Sequence, residues 1–372
     1  MTEQDQREQI LFVTTASPPL AIGGRAQLSR LNRDALSALL PGRLLVVDLP
    51  KSVAMAHLPS ALVGYIDGVS LSSINEVIRM IRAESVRKVY IDGSNLGVLA
   101  KAIRRNCLNV KIYTFFHNCE ARFFAGALRQ RPSLRALGVM VANYVAERNA
   151  VRFSHKLICL SDRDSRMLRR VYGRAATDIS PMAVRSQVFS NDERAEDERR
   201  NEYALFVGGA FYANIAGIAW FAEHVAPRIP IVTHVVGHGF DVYRESLERH
   251  GNIEVVGGVD SLASTYFNAR FVVAPIFGGS GMKTKVAEAL MHGKRVIGTP
   301  EAFSGYEDIA HIAGVICNSA EDFVRAIGGE LERTGSGSDE KLRALYEERY
   351  SFRAAQIRLA RILKIANRAW CV

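Results

Sequence analysis

No stretch of this chain approaches the ~20 consecutive apolar residues that a membrane-spanning helix requires; the longest runs, such as residues 271–276, fall far short. Cysteine is sparse. Five are present, at 107, 119, 159, 317 and 371, without a C-x-x-C pair, a distribution that argues against a disulfide framework or a zinc knuckle. The histidines form no cluster, and the one D-x-D spacing, Asp162-Arg163-Asp164, falls at an expected helix start, where acids favour the helix dipole. Residues 1–9 are polar and lack the succession of charged, apolar and small residues that marks a secretory signal. These absences lead to the expectation of a cytoplasmic protein that works without a bound metal or cofactor.

What is present is core-forming material for two domains. The chain has 372 residues, 48% of them hydrophobic and 23% charged, and single cores stop growing near 250 to 300 residues. The net charge of +10 is unevenly distributed. Residues 1–180 hold 26 Lys and Arg against 14 Asp and Glu, a net +12, whereas the remaining 22 against 24 give −2. The basic half is suited to an anionic partner such as nucleic acid, a phospholipid surface or a phosphorylated substrate.

Short apolar runs alternate with longer amphipathic segments, the pattern of parallel strands covered by helices. Strands are expected at 10–14, 44–49, 89–91, 111–115 and 156–160, and again at 203–207, 231–236, 253–256, 271–274 and 295–298. Helices are expected over 26–39 and 74–84 and, as one long element, over 340–369. Residues 190–202, SNDERAEDERRNE, contain nine charges and almost nothing to bury, so they mark a linker. The fold class is therefore α/β, with two doubly wound domains at 1–185 and 186–355 and a C-terminal helix at 356–372. Residues 334–339, TGSGSD, read as a flexible surface loop.

The segment FVVAPIFGGSGMKTKVAEALMHGKRVIGT at 271–299 carries the most chemistry. A buried strand leads into Gly278-Gly279-Ser280-Gly281, and a helix is expected to begin near Met282. Glycines let backbone approach a ligand, and the free N–H groups at a helix start favour an anion. Lys283 and Lys285 lie at the positive end of the dipole, where a bound phosphate would offset their unfavourable position; two solvated lysines beside a turn are the plain alternative. Glu288, farther along that helix, is placed either to bond ribose hydroxyls or to pair with Lys285 or Lys294.

From Tyr203 onward the sequence resembles the nucleotide-sugar-binding domain of GT-B fold glycosyltransferases, in particular family 4 and its bacterial polysaccharide-assembly relatives. The matching pieces are YALFVGGAFYANIAGIAWF at 203–221, VVGHG at 235–239, NIEVVGGVDSLASTYFNARFVVAP at 252–275 and GGSGMKTKVAEALMHGKRVIGTPEAFSG at 278–305. The resemblance implies two Rossmann-like domains facing a cleft, with the C-terminal helix crossing back to the first and Trp370 anchoring it there. It implies that Gly208 and Gly209 face the donor diphosphate and that Gly237 and Gly239 line the nucleotide pocket. Gly257 to Val259 would lie over the base. Gly279, Ser280, Gly281 and Met282 would form the turn, with Lys283 neutralising the diphosphate and Glu288 holding the ribose. One departure stands out: the common E-x(7)-E pattern would place its first acid at 280, where this chain has Ser280.

The first half resembles the acceptor domain more loosely. TTASPPLAIGGR at 14–25 is similar to the loop that reaches toward the donor phosphates, which implies roles for Gly24 and Arg25. FFHNCEARFF at 115–124 is similar to the His-Asn-x-Glu segment. His117 is then either a cleft group near the transferred sugar or a satisfied core histidine, and Glu120 either a cleft carboxylate or a helix cap. Both are the candidate bases if the reaction inverts. RFFAGALRQRPSLR at 122–135 interleaves Arg122, Arg129, Arg131 and Arg135 with Phe123, Phe124, Leu128 and Leu134; it suits an anionic membrane face or lipid-linked acceptor, or else an amphipathic helix with a core-facing side.

The expectation is a metal-independent glycosyltransferase using a UDP- or GDP-sugar. Its acceptor would be a glycan or a lipid-linked glycan at the inner face of the plasma membrane. The alternatives are a nucleotide-sugar epimerase of the same fold, a non-catalytic scaffold, and a basic nucleic-acid-binding protein, the last without any recognition signature in the sequence.

Overall fold

The computed structural model describes residues 9–16, 24–50, 58–186, 203–279, 281–333 and 338–365. The chain forms two compact units, Met1–Pro181 with Ala355–Val372, and Met182–Ala354. The boundary thus falls at Pro181, and the chain rejoins the first unit at Ala355.

In the first unit the order is β1 (Ile10–Thr15), α1 (Gly24–Leu39), β2 (Leu44–Leu49), α2 (Leu58–Leu62), α3 (Leu71–Ala83), β3 (Lys88–Asp92), α4 (Gly97–Asn106), β4 (Lys111–Phe116), α5 (Glu120–Gln130), α6 (Leu134–Phe153), β5 (Lys156–Cys159), α7 (Asp162–Tyr172) and β6 (Asp178–Ile179). The sheet is parallel in the order β2-β1-β3-β4-β5-β6. One layer of its core unites Leu11, Val13, Val89, Ile91 and Ile112 from the strands with Ile74, Val77, Leu99 and Ile103 from the covering helices. Helix starts follow local chemistry. Ser70 and Ser73 form a reciprocal capping box at α3, and Ser161 caps α7, which ends on the left-handed Gly173.

The second unit contains β7 (Tyr203–Val207), α8 (Tyr212–His224), β8 (Val232–Val236), α9 (Arg244–Glu248), β9 (Ile253–Gly257), α10 (Leu262–Asn268), β10 (Ala269–Ala274), α11 (Thr284–Met291), β11 (Val296–Gly298), α12 (Ala310–Ala313), β12 (Gly314–Ile316), α13 (Ala320–Glu332) and α14 (Glu340–Arg349). Its parallel sheet runs β12-β11-β10-β7-β8-β9. The buried face of this sheet packs Phe206, Val235, Phe271 and Val273 against Ile218, Phe221 and Phe323. α15 (Phe352–Leu363) begins in this unit and belongs to the first from Ala355 on; there Leu359 and Leu363 are fully buried and Arg358 donates to Pro181 O at 3.2 Å.

One expectation is corrected. The single C-terminal helix is two, because Ser351 accepts from Ala354 N–H at 3.1 Å and starts a new helix. α11 begins at Thr284 with Lys283 at its N-cap position, within two residues of the expected start near Met282. β6 and β12, of two and three residues, were not foreseen; runs so short carry no periodicity. Residues 187–202, residues 334–337 and Trp370 lie outside the described residues. Among the described residues no helix is long and apolar enough to cross a membrane.

Each sheet has a point where successive strands depart in opposite directions. In the second unit it lies between β7 and β10, in the first between β1 and β3. In open α/β sheets, ligands bind beyond the carboxyl ends of the strands at such switch points.

Candidate active site

In the second unit, the residues singled out in the sequence gather at the carboxyl edge of the sheet. Gly208 and Gly209 follow β7, Gly237 and Gly239 follow β8, Gly257 ends β9, and Gly279, Gly281 and Met282 follow β10. The glycine at 237 is required by close approach: its φ is +150°, and a Cβ there would stand 1.8 Å from Gly208 O. Backbone bonds from Gly208 N to Val236 O (3.0 Å) and from Gly237 N to Gly257 O (2.7 Å) tie the three strand ends together. Ser280 lies outside the described residues. Met282 is buried, and its Sδ accepts from Met182 N–H at 3.3 Å.

The two lysines differ. Lys283 donates to Glu301 at 3.1 Å and to Gly281 O at 2.9 Å, so its charge is already matched. Lys285 is only 6% exposed. Its Nζ stands 4.3 Å from the centre of the Phe206 ring and 3.4 Å from Asn214 Oδ1. It is also 3.4 Å from where a Cβ on Gly208 would be. Burial pulls its pKa down to about 7, partly opposed by Glu288. Among the described residues no carboxylate is hydrogen-bonded to it: its hydrogen-bond partner is Asn214, and Glu288 acts on it through space. The sequence reading had assigned the diphosphate to Lys283.

Glu288 is half-buried and interacts electrostatically with Lys285, while Lys294 donates to Phe267 O at 2.9 Å. One Glu288 oxygen accepts from Tyr266 Oη at 2.9 Å. Burial raises its pKa, against the Tyr266 hydrogen bond and Lys285, which lower it. Tyr266 in turn stacks on His292, with ring centres 4.9 Å apart.

In the first unit, the switch point holds a second polar cluster. Asp92, the last residue of β3, is 3% exposed. It accepts from Thr14 at 3.4 Å, from Asn32 at 3.5 Å and from Ser29. His117 Nε2 stands 3.3 Å from Asp92 Oδ1, off the line of a hydrogen bond. Burial alone would raise the Asp92 pKa; the facing His117, the Ser29 hydrogen bond and the Arg25 guanidinium outweigh it and hold the carboxyl low. His117 is buried, edge-on to Phe115 at 5.0 Å. It is not a fully satisfied core histidine: its Nε2 faces Asp92, and among the described residues neither Nδ1 nor the buried Oδ1 of Asn118 has a hydrogen-bond partner.

Beside this cluster, Arg25 in the first turn of α1 donates to Glu120 at 3.3 Å and to Asn95 at 2.9 Å. Gly24 is the first residue of that helix. Glu120 sits at the start of α5 without capping it. The cap is Glu147, a fully buried residue of α6 that sequence reasoning missed. Its carboxylate accepts from the N–H of Glu120 (3.0 Å) and of Ala121 (3.1 Å), from Ser94 (3.0 Å) and from Tyr172 (2.7 Å). The Glu120 side chain is thereby released to face Arg25. Burial lifts its pKa to about 7, opposed by Arg25 and assisted by Glu147 and Asp67.

The α5–α6 hairpin leaves its segment largely uncovered. Leu134 is 88% exposed; Leu137 and Val139 are exposed as well, beside exposed Arg122, Arg129, Arg131 and Arg135. Phe123, Phe124 and Leu128 are half-buried, so none of the apolar residues named in the sequence reaches the core.

Residues 201–332 match a family model described as Glycosyl transferases group 1. Among solved structures, the chain is similar to sucrose-phosphate synthase from Thermosynechococcus elongatus, at a TM-score of 0.71 and 16% identity over 96% of this chain and 98% of that one. It is similar to HepE of Anabaena in complex with UDP, at 0.70 and 14% identity over 96% and 99%. It is similar to WaaG, a glycosyltransferase involved in lipopolysaccharide biosynthesis, at 0.57 and 15% identity over 94% of each chain. Comparison with curated proteins gives no match. At these identities the likeness establishes the fold: two Rossmann-like domains of the GT-B type, as the sequence resemblance implied.

Proposed function

We propose that the protein is a glycosyltransferase that takes a sugar from a nucleotide-diphosphate donor bound at the carboxyl edge of the second unit's sheet. The observation that carries this reading is Lys285, a buried amine beside Gly208 at the switch point, to which no carboxylate among the described residues is hydrogen-bonded. The match of residues 201–332 to the group 1 family model supports it, as do the solved complexes of HepE with UDP and with UDP-glucose.

In this reading, the glycine turns let the diphosphate approach backbone N–H groups. Lys285 stabilises the negative charge that develops on the leaving diphosphate, a role for fixed positive groups in a desolvated site. In this reading that charge is met without a divalent metal. The Glu288 oxygen not engaged by Tyr266 accepts from a ribose hydroxyl. His117 and Glu120 are the groups for the acceptor and the transferred sugar. The acceptor is a glycan or lipid-linked glycan, and the arginine-rimmed α5–α6 hairpin meets the anionic membrane surface that presents it.

The test is thermal stabilisation of the wild type and of Lys285→Met, Lys283→Ala and Glu288→Ala by UDP, GDP, ADP, TDP and CMP, with and without EDTA. A nucleotide at a hundred times its dissociation constant stabilises by about 2.7 kcal/mol. One diphosphate should raise the melting temperature of the wild type and not that of Lys285→Met; indifference to the whole panel would remove the donor-site reading.

A further inference from the structure

Among the described residues, two buried acceptors near the first unit's switch point have no hydrogen-bond partner. His117 and Asn118 follow β4 directly, and Nδ1 of His117 and Oδ1 of Asn118 are buried without hydrogen bonds. A native fold leaves few buried polar atoms unpaired, and each one calls for an explanation. Here the unpaired atoms are adjacent in sequence, on one strand end, where a parallel sheet of this kind receives ligands.

We propose that Asp92 is a positioning residue that keeps the His117 proton on Nε2, so that Nδ1 and Asn118 Oδ1 form a pair of acceptors for hydroxyl groups of the substrate. The Asp92 oxygen is the acceptor nearest Nε2, at 3.3 Å. An imidazole whose one nitrogen faces a carboxylate carries its proton there and presents the other nitrogen as a lone pair. Asp92 itself is held by Thr14, Ser29 and Asn32, all neutral donors. None of these three carries a charge; Arg25 also acts on the carboxylate, and His117 faces it at 3.3 Å. Phe115 fixes the ring edge-on. Two acceptors with nothing to accept select a ligand rich in donors, and a polyhydroxylated one supplies a hydroxyl to each.

That the hydroxyl compound is a sugar rests on the proposed transferase activity; the tautomer does not. The two are therefore tested separately. Nitrogen-15 spectra of ring-labelled protein at pH 8, with the His117 signals identified by their loss in His117→Asn, should show the Nε2–H form in the wild type. In Asp92→Asn that preference should be lost. With the identified donor and an acceptor, Asp92→Asn should lower kcat roughly a hundredfold or more, while the donor KM changes much less. In a His117→Asn background the same substitution should leave kcat within about twofold, because sites acting through one another are not additive.

A wild-type Nδ1–H form would overturn the proposal, and so would an equal loss of kcat from Asp92→Asn with and without His117. If the Nε2–H form holds but no nucleotide sugar is consumed, the transferase reading fails and the positioning role stands.

Discussion

The carboxylate of Glu147 accepts a hydrogen bond from the backbone N–H of Glu120 at 3.0 Å, so that α5 is capped by a residue from the middle of α6. The same carboxylate collects Ala121, Ser94 and Tyr172. It thus ties the turn before α4, the start of α5 and the end of α7 to one buried charge, and holds the peptide bearing Glu120 in place beside Arg25.

Removing that charge should be felt throughout the first unit. Glu147→Ala strands several buried donors and should destabilise it by about 2–4 kcal/mol in chemical denaturation. Glu147→Gln, which keeps the shape and half the acceptors, should fall between it and the wild type. A Glu147→Ala change under about 0.5 kcal/mol would show that the cap contributes nothing.

Glu120 makes stability depend on pH in a particular direction. Its pKa is about 7 when folded, above its ordinary value of 4.5. Between these values the folded state binds the extra proton, so its contribution is fully present below about pH 4.5 and is lost as pH rises through 7. Glu120→Gln resembles the protonated form. It should match the wild type near pH 5 and exceed it at pH 8 by up to about 3 kcal/mol. Parallel pH profiles of the two proteins would show that Glu120 ionises normally.

Lys285 has the opposite sign. Its folded pKa of about 7 lies below the ordinary 10.5, so between these values the unfolded chain binds more protons and stability rises with pH. Diphosphate binding should favour the charged ammonium and be tighter at pH 6 than at pH 9. Lys285→Met should remove both that pH dependence and most of the affinity, in titration calorimetry with the nucleotide found by the thermal panel. Unchanged affinity in Lys285→Met would assign the anion to other groups.

Gly217 tests the packing beneath the glycine turn. It lies in α8, where a Cβ would stand 1.8 Å from Pro275 O, so Gly217→Ala must push the helix away from the segment that follows β10. A loss of about 2 kcal/mol or more is expected, together with weaker nucleotide stabilisation. Gly126 in α5 has open space at its Cβ position. Gly126→Ala should instead stabilise by about 0.5–1 kcal/mol. Equal melting temperatures for both variants would contradict the close approach.

Much of the site is legible because glycine and lysine leave strong local signals. Gly208, Gly237 and Gly257 each end an apolar run, and a glycine after a buried strand marks a turn at the sheet edge. Asp92 left no such signal: a lone acid after KVYI resembles any strand end. Glu147 was equally silent, since AERNA in mid-helix reads as a solvated face. Lys283 and Lys285 look alike in sequence. They separate only when Glu301 reaches one and Phe206 lies under the other.

The amino-acid sequence by itself determined what depends on near neighbours. The alternation of apolar runs with helical periods set the strands, the α/β class and the two units, because burial of one face is decided residue by residue. Glycine placement determined which strand ends turn sharply. The tertiary structure alone decided which carboxylate caps α5, which lysine stands beside Gly208, and whether His117 is satisfied. Each of these depends on groups 25 to 95 positions apart, and a hydrogen bond or a desolvated charge exists only between atoms that folding has brought within a few ångströms.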